Sequence, residues 1–176
     1  MSGRVSATAQ TTERFPSRAA TAADQADIEA LHDRVFGPGA LTRSAYRVRE
    51  GQPSVSPFCR VLHGDDVLVS AIRFTALRVG KVGDVLMLGP LAVAPEFANQ
   101  GHGRRLIAEG LNAALAAGIE AVLLVGDPPY YARFGFNPVP AGRIQLPGPV
   151  DPARLLIAEL IAGAAERYQG RVVGAA

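Results

Sequence analysis

Residues 88–106 read Leu-Gly-Pro-Leu-Ala-Val-Ala-Pro-Glu-Phe-Ala-Asn-Gln-Gly-His-Gly-Arg-Arg-Leu: an apolar strand interrupted by Gly-Pro, a short loop, and a glycine-rich turn that opens a helix. Proline cannot donate to a strand ladder, and the glycine before it can adopt backbone angles closed to other residues. A bulge at Gly89-Pro90 is therefore expected, with simple termination of the strand as the other reading. The turn at residues 100–105 bares backbone N–H groups at the positive end of a helix, which suits a pyrophosphate. A purely structural turn is the alternative. The segment lacks the Gly-Lys-Ser/Thr ending of a P-loop. It reads Gly-x-Gly-x-x-Leu where a dinucleotide fold needs a third small residue and direct entry from the strand.

The rest of the chain limits what can surround this segment. The 176 residues, 48% apolar, suffice for one domain with a full core, and no composition break marks a second. Net charge is +2, Lys81 is the only lysine among 18 cationic residues, and no dense basic run interleaves with aromatics. Nucleic acid is not an expected partner. Cys59 is the single cysteine, which excludes an internal disulfide or a multi-cysteine zinc site and fits a reducing cytoplasm. No window reaches the ~18 apolar residues of a membrane span, and the first twenty residues lack a signal core, so a soluble cytoplasmic protein is expected.

Periodicity predicts the elements. Residues 1–12 are polar and expected to be disordered, with a thin first strand over 13–18. Thr21-Ala-Ala-Asp24 resembles a capping box, followed by Ile28, Leu31, Val35 and Phe36 at helical spacing until Gly37. Residues 40–57 are mixed, with Tyr46, Arg49 and Glu50 on an expected second helix, a segment suited to lining a substrate cleft. Apolar runs at 58–62 and 67–75 flank His63-Gly-Asp-Asp66, which reads as a four-residue hairpin loop, and a third antiparallel strand follows over 84–93. Residues 106–117 form a helix ended by Gly118, and 121–125 a short strand buried on both faces. A short helix over 127–134, a strand at 143–146, a helix from Asp151-Pro152 to about 162 and a strand at 170–173 complete the pattern. The fold class is mixed α/β with a mostly antiparallel sheet, not a doubly wound one. If strand 121–125 lies parallel beside the bulged strand, the two part at their C-terminal ends. Unpaired groups at Leu91 and Val93 can then bind an extended, amide-bearing ligand as a pseudo-strand.

Three motifs in this order resemble the GNAT superfamily of acyl-coenzyme A-dependent N-acyltransferases: Leu91-Ala-Val-Ala-Pro95, Gln100-Gly-His-Gly-Arg-Arg105 and Tyr131-Ala-Arg-Phe-Gly-Phe136. The likeness runs over residues 13–173, taken as one N-acetyltransferase domain. More narrowly, Leu88-Gly-Pro-Leu-Ala-Val93, Gly126-Asp-Pro-Pro-Tyr-Tyr131 and Leu146-Pro-Gly-Pro-Val150 resemble a bacterial branch of predicted acetyltransferases whose substrates are mostly unassigned. The resemblance implies a GNAT-like sheet splayed between strands 84–93 and 121–125, acetyl-CoA as cosubstrate, and cofactor contacts from Leu91, Ala92, Val93, Gln100, Gly101, His102, Gly103, Arg104, Arg105 and Leu106. Arg105 stands where the family carries Gly or Ala, and is read as either crowding the pyrophosphate or helping to hold it.

The chemistry assigns further roles. The N–H of Leu91, the first non-proline residue after the bulge, suits a developing oxyanion. Tyr131 occupies the position at which the family often carries a tyrosine general acid, able to protonate a leaving thiolate; a core aromatic is its other reading, and Tyr130 is expected in the core. No carboxylate lies on the bulged strand between 86 and 94. Asp127 is the best local base, with a helix N-cap as its other reading; Glu50, Asp84 or a water chain are weaker candidates. His32, His63 and His102 lack metal-ligand partners at usable spacing, so no metal is expected, and there is no Gly-x-Ser-x-Gly elbow. The expected activity is direct acetyl transfer to a primary amine of a small molecule or peptide, the alternative being a non-catalytic acyl-CoA-binding regulator. A homodimer is left open, and no membrane partner is expected.

Overall fold

The computed structural model describes residues 14–37 and 47–175. The expected disorder at 1–12, and Tyr46 of the expected second helix, lie outside these residues. The capping-box sequence starts a short 3-10 turn, Ala22–Asp24, with the Asp24 carboxylate accepting from the Thr21 N–H at 2.8 Å. Helix α1, Gln25–Phe36, continues from it and ends at Gly37. Strand β1, Ser17–Ala19, precedes them and pairs with β2, Arg60–Gly64.

β2, β3 (Val67–Val79) and β4 (Val82–Val93) form the antiparallel centre of the sheet. The β2–β3 loop has two residues rather than four. Asp65 and Asp66 take φ of 51° and 61°, the left-handed pair that matches strand twist in a tight hairpin, and His63 lies in β2 instead of the turn. Helix α2 (His102–Ala116) crosses to β5 (Ala121–Val125), which lies parallel to β4. Gly118, at φ 85°, follows the helix end as expected.

The second half departs most from expectation. The helix predicted from Asp151 is a three-residue 3-10 turn, in which the Asp151 side chain accepts from the Ala153 N–H, followed by strand β8, Leu155–Glu159. Its first four residues are buried, and it sits between β5 and β6 (Phe136–Pro138), a strand absent from the sequence reading. A continuous apolar run has neither helical nor strand period, and here neighbours on both edges decided. Pro138 is tolerated because β6 is an edge strand. The short helix α3 is Pro128–Tyr131, extended by a 3-10 turn over Ala132–Phe134. β7 (Ile144–Gln145) and β9 (Gly170–Gly174) flank the other side, β9 also pairing with β3. Of the expected second helix, Arg47 is helical and a turn follows it; the residues before Arg47 lie outside those described.

The sheet separates two faces. On one, α2 packs Leu106, Ile107 and Ala114 onto Leu62, Ile72, Phe74, Leu86 and Leu88. On the other, α1 packs Leu31 onto Val61, Ala71 and Ala92, while Val48 and Tyr168 cover Leu77, Met87 and Leu123. These faces give the site its two sides.

Candidate active site at the parting of two strands

Across from β3, β4 carries one residue too many. Ile72 pairs with Leu91 and Phe74 with Leu88, so Arg73 alone opposes both Gly89 and Pro90. The Gly89-Pro90 peptide is cis, and Gly89 has φ 118°, open only to a residue without Cβ. The bulge is present as expected, inside a strand that continues to Val93.

Beyond the bulge, the ladder sets which way the backbone points. Ala94 donates to the Val69 carbonyl at 2.8 Å. Hydrogen-bonded pairs alternate in an antiparallel ladder, so Ala92 faces Ala71 in the same way, and Leu91 and Val93 turn their N–H and C=O groups to the opposite edge. Ser70 Oγ adds a bond to the Ala92 carbonyl at 2.8 Å, fixing this stretch to β3. On the opposite edge, β5 pairs only from Val85–Ala121 to Met87–Leu123. The strands part at their C-terminal ends, leaving the edge at Leu91 and Val93 open to an extended ligand.

The glycine turn abuts this edge. Gly101, at φ 84°, is the N-cap of α2, and the Cα of Gly103 faces the Leu91 and Val93 side chains. Arg105 N–H closes the first helical bond on the Gly101 carbonyl at 3.1 Å, so the unclaimed donors are those of Gly101, His102, Gly103 and Arg104. Four N–H groups at a helix start fit a pyrophosphate. Leu106 lies deeper, fully buried in the core.

Two side chains of the turn play parts the sequence did not suggest. The Arg105 guanidinium neither crowds nor caps the turn. It donates to the Phe15 carbonyl at 2.6 Å, to Ser17 Oγ at 3.0 Å and to Glu109 at 3.0 Å, tying α2 to the first strand. The His102 ring is buried, 4.6 Å from the Phe15 ring, with Nε2 3.3 Å from Gln100 Oε1. Burial, with Arg105 nearby, holds its pKa below the usual imidazole value, so it is neutral and contributes packing.

On the far side of the gap, β5 runs into Gly126 and α3. A Cβ on Gly126 would stand 2.5 Å from Tyr131 Cε2, so only glycine admits the ring there. Tyr131 also meets Tyr130 and Phe136 edge-on, at 4.9 and 5.9 Å. Burial chiefly, then Tyr130, raises its pKa above the ordinary phenol value, keeping the proton on the hydroxyl. Tyr130 is itself only partly buried. Asp127 stands at the N-cap of α3, exposed; its side chain makes no capping bond, while its carbonyl accepts from the N–H groups of Tyr130 and Tyr131. Asp84 is at the other end of β4 from the bulge and Glu50 in an exposed turn. The histidines occupy separate elements: His32 in α1, His63 in β2 and His102 in α2. A cavity of about 430 Å³ lies among the loops from Val139 to Leu155, and none of these candidate residues lines it. No described helix is long and apolar enough to cross a membrane.

Sequence analysis singled out Leu91, Gly101, Gly103 and Tyr131 and placed Arg49 in a segment able to line a substrate cleft; it did not name Arg73, and both arginines meet the bulge from other segments. Arg49 Nη2 lies 2.9 Å from where a Gly89 Cβ would be. No local spacing links these arginines to the bulge.

Known proteins share this fold. A family model described as Acetyltransferase (GNAT) family matches residues 26–136. The uncharacterized N-acetyltransferase YjhQ of Escherichia coli (strain K12) is 32% identical over 145 residues, covering 79% of this chain and 78% of that protein. Among solved structures, the E. coli GNAT family N-acetyltransferase YhbS in complex with CoA aligns with a TM-score of 0.77 at 27% identity, covering 92% of this chain and 89% of that one. A GNAT family acetyltransferase from Brucella melitensis in complex with acetyl-CoA aligns at 0.61 and 25% identity, over 81% of this chain and 94% of the other. Because the family match spans most of the sheet and the parted strands, this chain belongs to the GNAT family of acetyltransferases, acyl-CoA-dependent N-acyltransferases with acetyl-CoA as cosubstrate.

Proposed function

We propose that residues 13–173 form one catalytic domain that moves the acetyl group of acetyl-CoA directly to a primary amine of a small molecule or peptide in the bacterial cytoplasm. The observation that carries this reading is the outward-turned edge at Leu91 and Val93, beside four open N–H groups of α2. Acetyl-CoA supplies the thioester, whose carbonyl carbon the amine attacks. The C–N bond forms as the C–S bond breaks, with no covalent enzyme intermediate.

The chain's own groups then have distinct tasks. Gly101 to Arg104 hold the pyrophosphate, while the strand edge orients the amide-bearing arm. The Leu91 N–H, fixed by the ladder behind it, stabilises negative charge developing on the thioester oxygen. Tyr131 O–H donates its proton to the departing thiolate, and its raised pKa keeps that proton available throughout the neutral range. The amine's proton leaves to Asp127 or through water beside it. An amine library assayed for free coenzyme A thiol tests the reading: acetyl-CoA-dependent, amine-dependent thiol release is expected. Tight acetyl-CoA binding without release for any amine would contradict it.

A further inference from the structure

Gly103 faces the Leu91 and Val93 side chains from the α2 side of the sheet. A cosubstrate held at the glycine turn therefore occupies that side of the gap, and the amine must reach the bulge from the α1 face. That face has a distinct chemistry. In β3, Ile72 and Phe74 point to α2 and Ala71 to α1, so Arg73 points to α1 directly opposite the bulge. Arg73 Nη2 donates to the Pro53 carbonyl at 3.1 Å, which brings segment 47–53 alongside this face of the bulge. From that segment the buried Arg49 lays its guanidinium against Gly89. His32 of α1 borders the group: burial chiefly, then Arg49 and Arg73, lowers its pKa, against opposing contributions from Asp33 and Glu29 of its own helix.

The field of two guanidinium groups beside the bulge disfavours a bare ammonium, whereas an amine with an acidic group is drawn in. Resting on the acetyltransferase reading above, we infer that the acceptor is an amine that also carries a carboxylate or phosphate, bound at the α1 face of the bulge by Arg49 and Arg73. Guanidinium groups suit both anions, which share planar or tetrahedral oxygens able to accept paired N–H bonds. The same field favours the uncharged amine over the ammonium, which eases attack where β4 offers no carboxylate.

The test uses acceptor pairs differing only in the anion: an amino acid and its amide, and a phosphorylated amino alcohol and its free alcohol. Acetyl-CoA-dependent thiol release is measured for each. The anionic member of at least one pair should have a kcat/KM higher by about tenfold to a hundredfold, as expected for a hydrogen bond to a charged group. The pair that shows the preference identifies carboxylate or phosphate. Arg73→Gln should erase the preference and Arg73→Lys retain part of it, with acetyl-CoA affinity unchanged by calorimetry. Arg49→Gln should do the same, but Arg49 is buried, so the more exposed Arg73 decides if that variant fails to fold. Equal rates within every pair, or a preference that survives Arg73→Gln, would overturn the inference while leaving the acetyltransferase reading standing. Absence of release from every acceptor is the separate result that removes both.

Discussion

The two sides of the gap between β4 and β5 are built from different material. On the proposed reading the cosubstrate is held by backbone: the N–H groups of Leu91 and Val93, and those of Gly101 to Arg104, with glycine keeping side chains away. The groups proposed for the acceptor and for proton transfer are side chains, with Arg49, Arg73 and Tyr131 arriving from a loop, a strand and a short helix. A backbone site recognises what every partner of a fold has in common, because any residue supplies an N–H. A side-chain site can be rewritten one residue at a time, and it is where specificity and proton transfer reside.

Substitutions should therefore separate the two sides. The largest expected effect is on chemistry. Tyr131→Phe keeps the ring against Gly126 and Phe136 but removes the proton donor, and kcat should fall about 10²- to 10⁴-fold with acetyl-CoA affinity unchanged. Turnover within about threefold of the parent would leave Tyr131 with packing alone. Gly126→Ala should follow in size. The new methyl would overlap Tyr131 Cε2 and stand 2.9 Å from Leu124 Cδ1, so the ring must shift. A stability loss of about 1–3 kcal/mol is expected from overpacking, with kcat reduced and acetyl-CoA affinity spared; unchanged kcat would show that the ring's position does not matter.

The cosubstrate side responds through stability. A ligand that binds only the folded state should stabilise it by about 2.7 kcal/mol at a hundredfold excess over its dissociation constant, so acetyl-CoA should raise Tm clearly while NAD and ATP do far less. Equal shifts with all three would dissolve the distinction between the sides.

The smallest effect concerns acid. His32 and His102, one on each face, are held neutral chiefly by burial, their folded-state pKa values below the ordinary 6.5. The unfolded chain takes up these protons first as pH falls. Their stabilisation is complete above about pH 6.5 and is lost progressively below it. Thermal melts from pH 7.5 to 5.5 should show Tm falling, and His32→Gln with His102→Gln should flatten that trend; a slope unchanged in the double variant would assign it elsewhere.

The same contrast explains what could be read before the fold was seen. Gly89-Pro90 and Gly101-x-Gly103 announce backbone geometry locally, because only those residue types permit it, and the bulge, the parted strands and the helix start followed. Tyr131 is proposed as the acid through its place in a family motif. Arg49 is legible only as part of a mixed segment suited to lining a cleft, and Arg73 carries no local signal; the strand register and the approach of segment 47–53 bring them to the bulge. The contacts of the Arg105 guanidinium are hidden from a local reading for a related reason, since its partners Phe15 and Ser17 lie far from it in the chain. The stretch from Asp151 to about residue 162 reads as helix because Asp-Pro is a helix-start signal; that signal serves only a 3-10 turn, and pairing with β5 and β6 makes Leu155–Glu159 a strand.

The central claim, that a backbone turn at the start of α2 holds the pyrophosphate of acetyl-CoA, is tested most directly by calorimetric titration of acetyl-CoA into the parent and Gly101→Asp. A Cβ at Gly101 meets nothing within 4 Å, so the fold should tolerate the change apart from about 1–2 kcal/mol for its left-handed backbone, which circular dichroism and a thermal melt can verify. The new carboxylate would sit beside the four open N–H groups and repel phosphate. Saturable binding to the parent and its loss in the folded variant are predicted; equal affinity in the two would contradict the account.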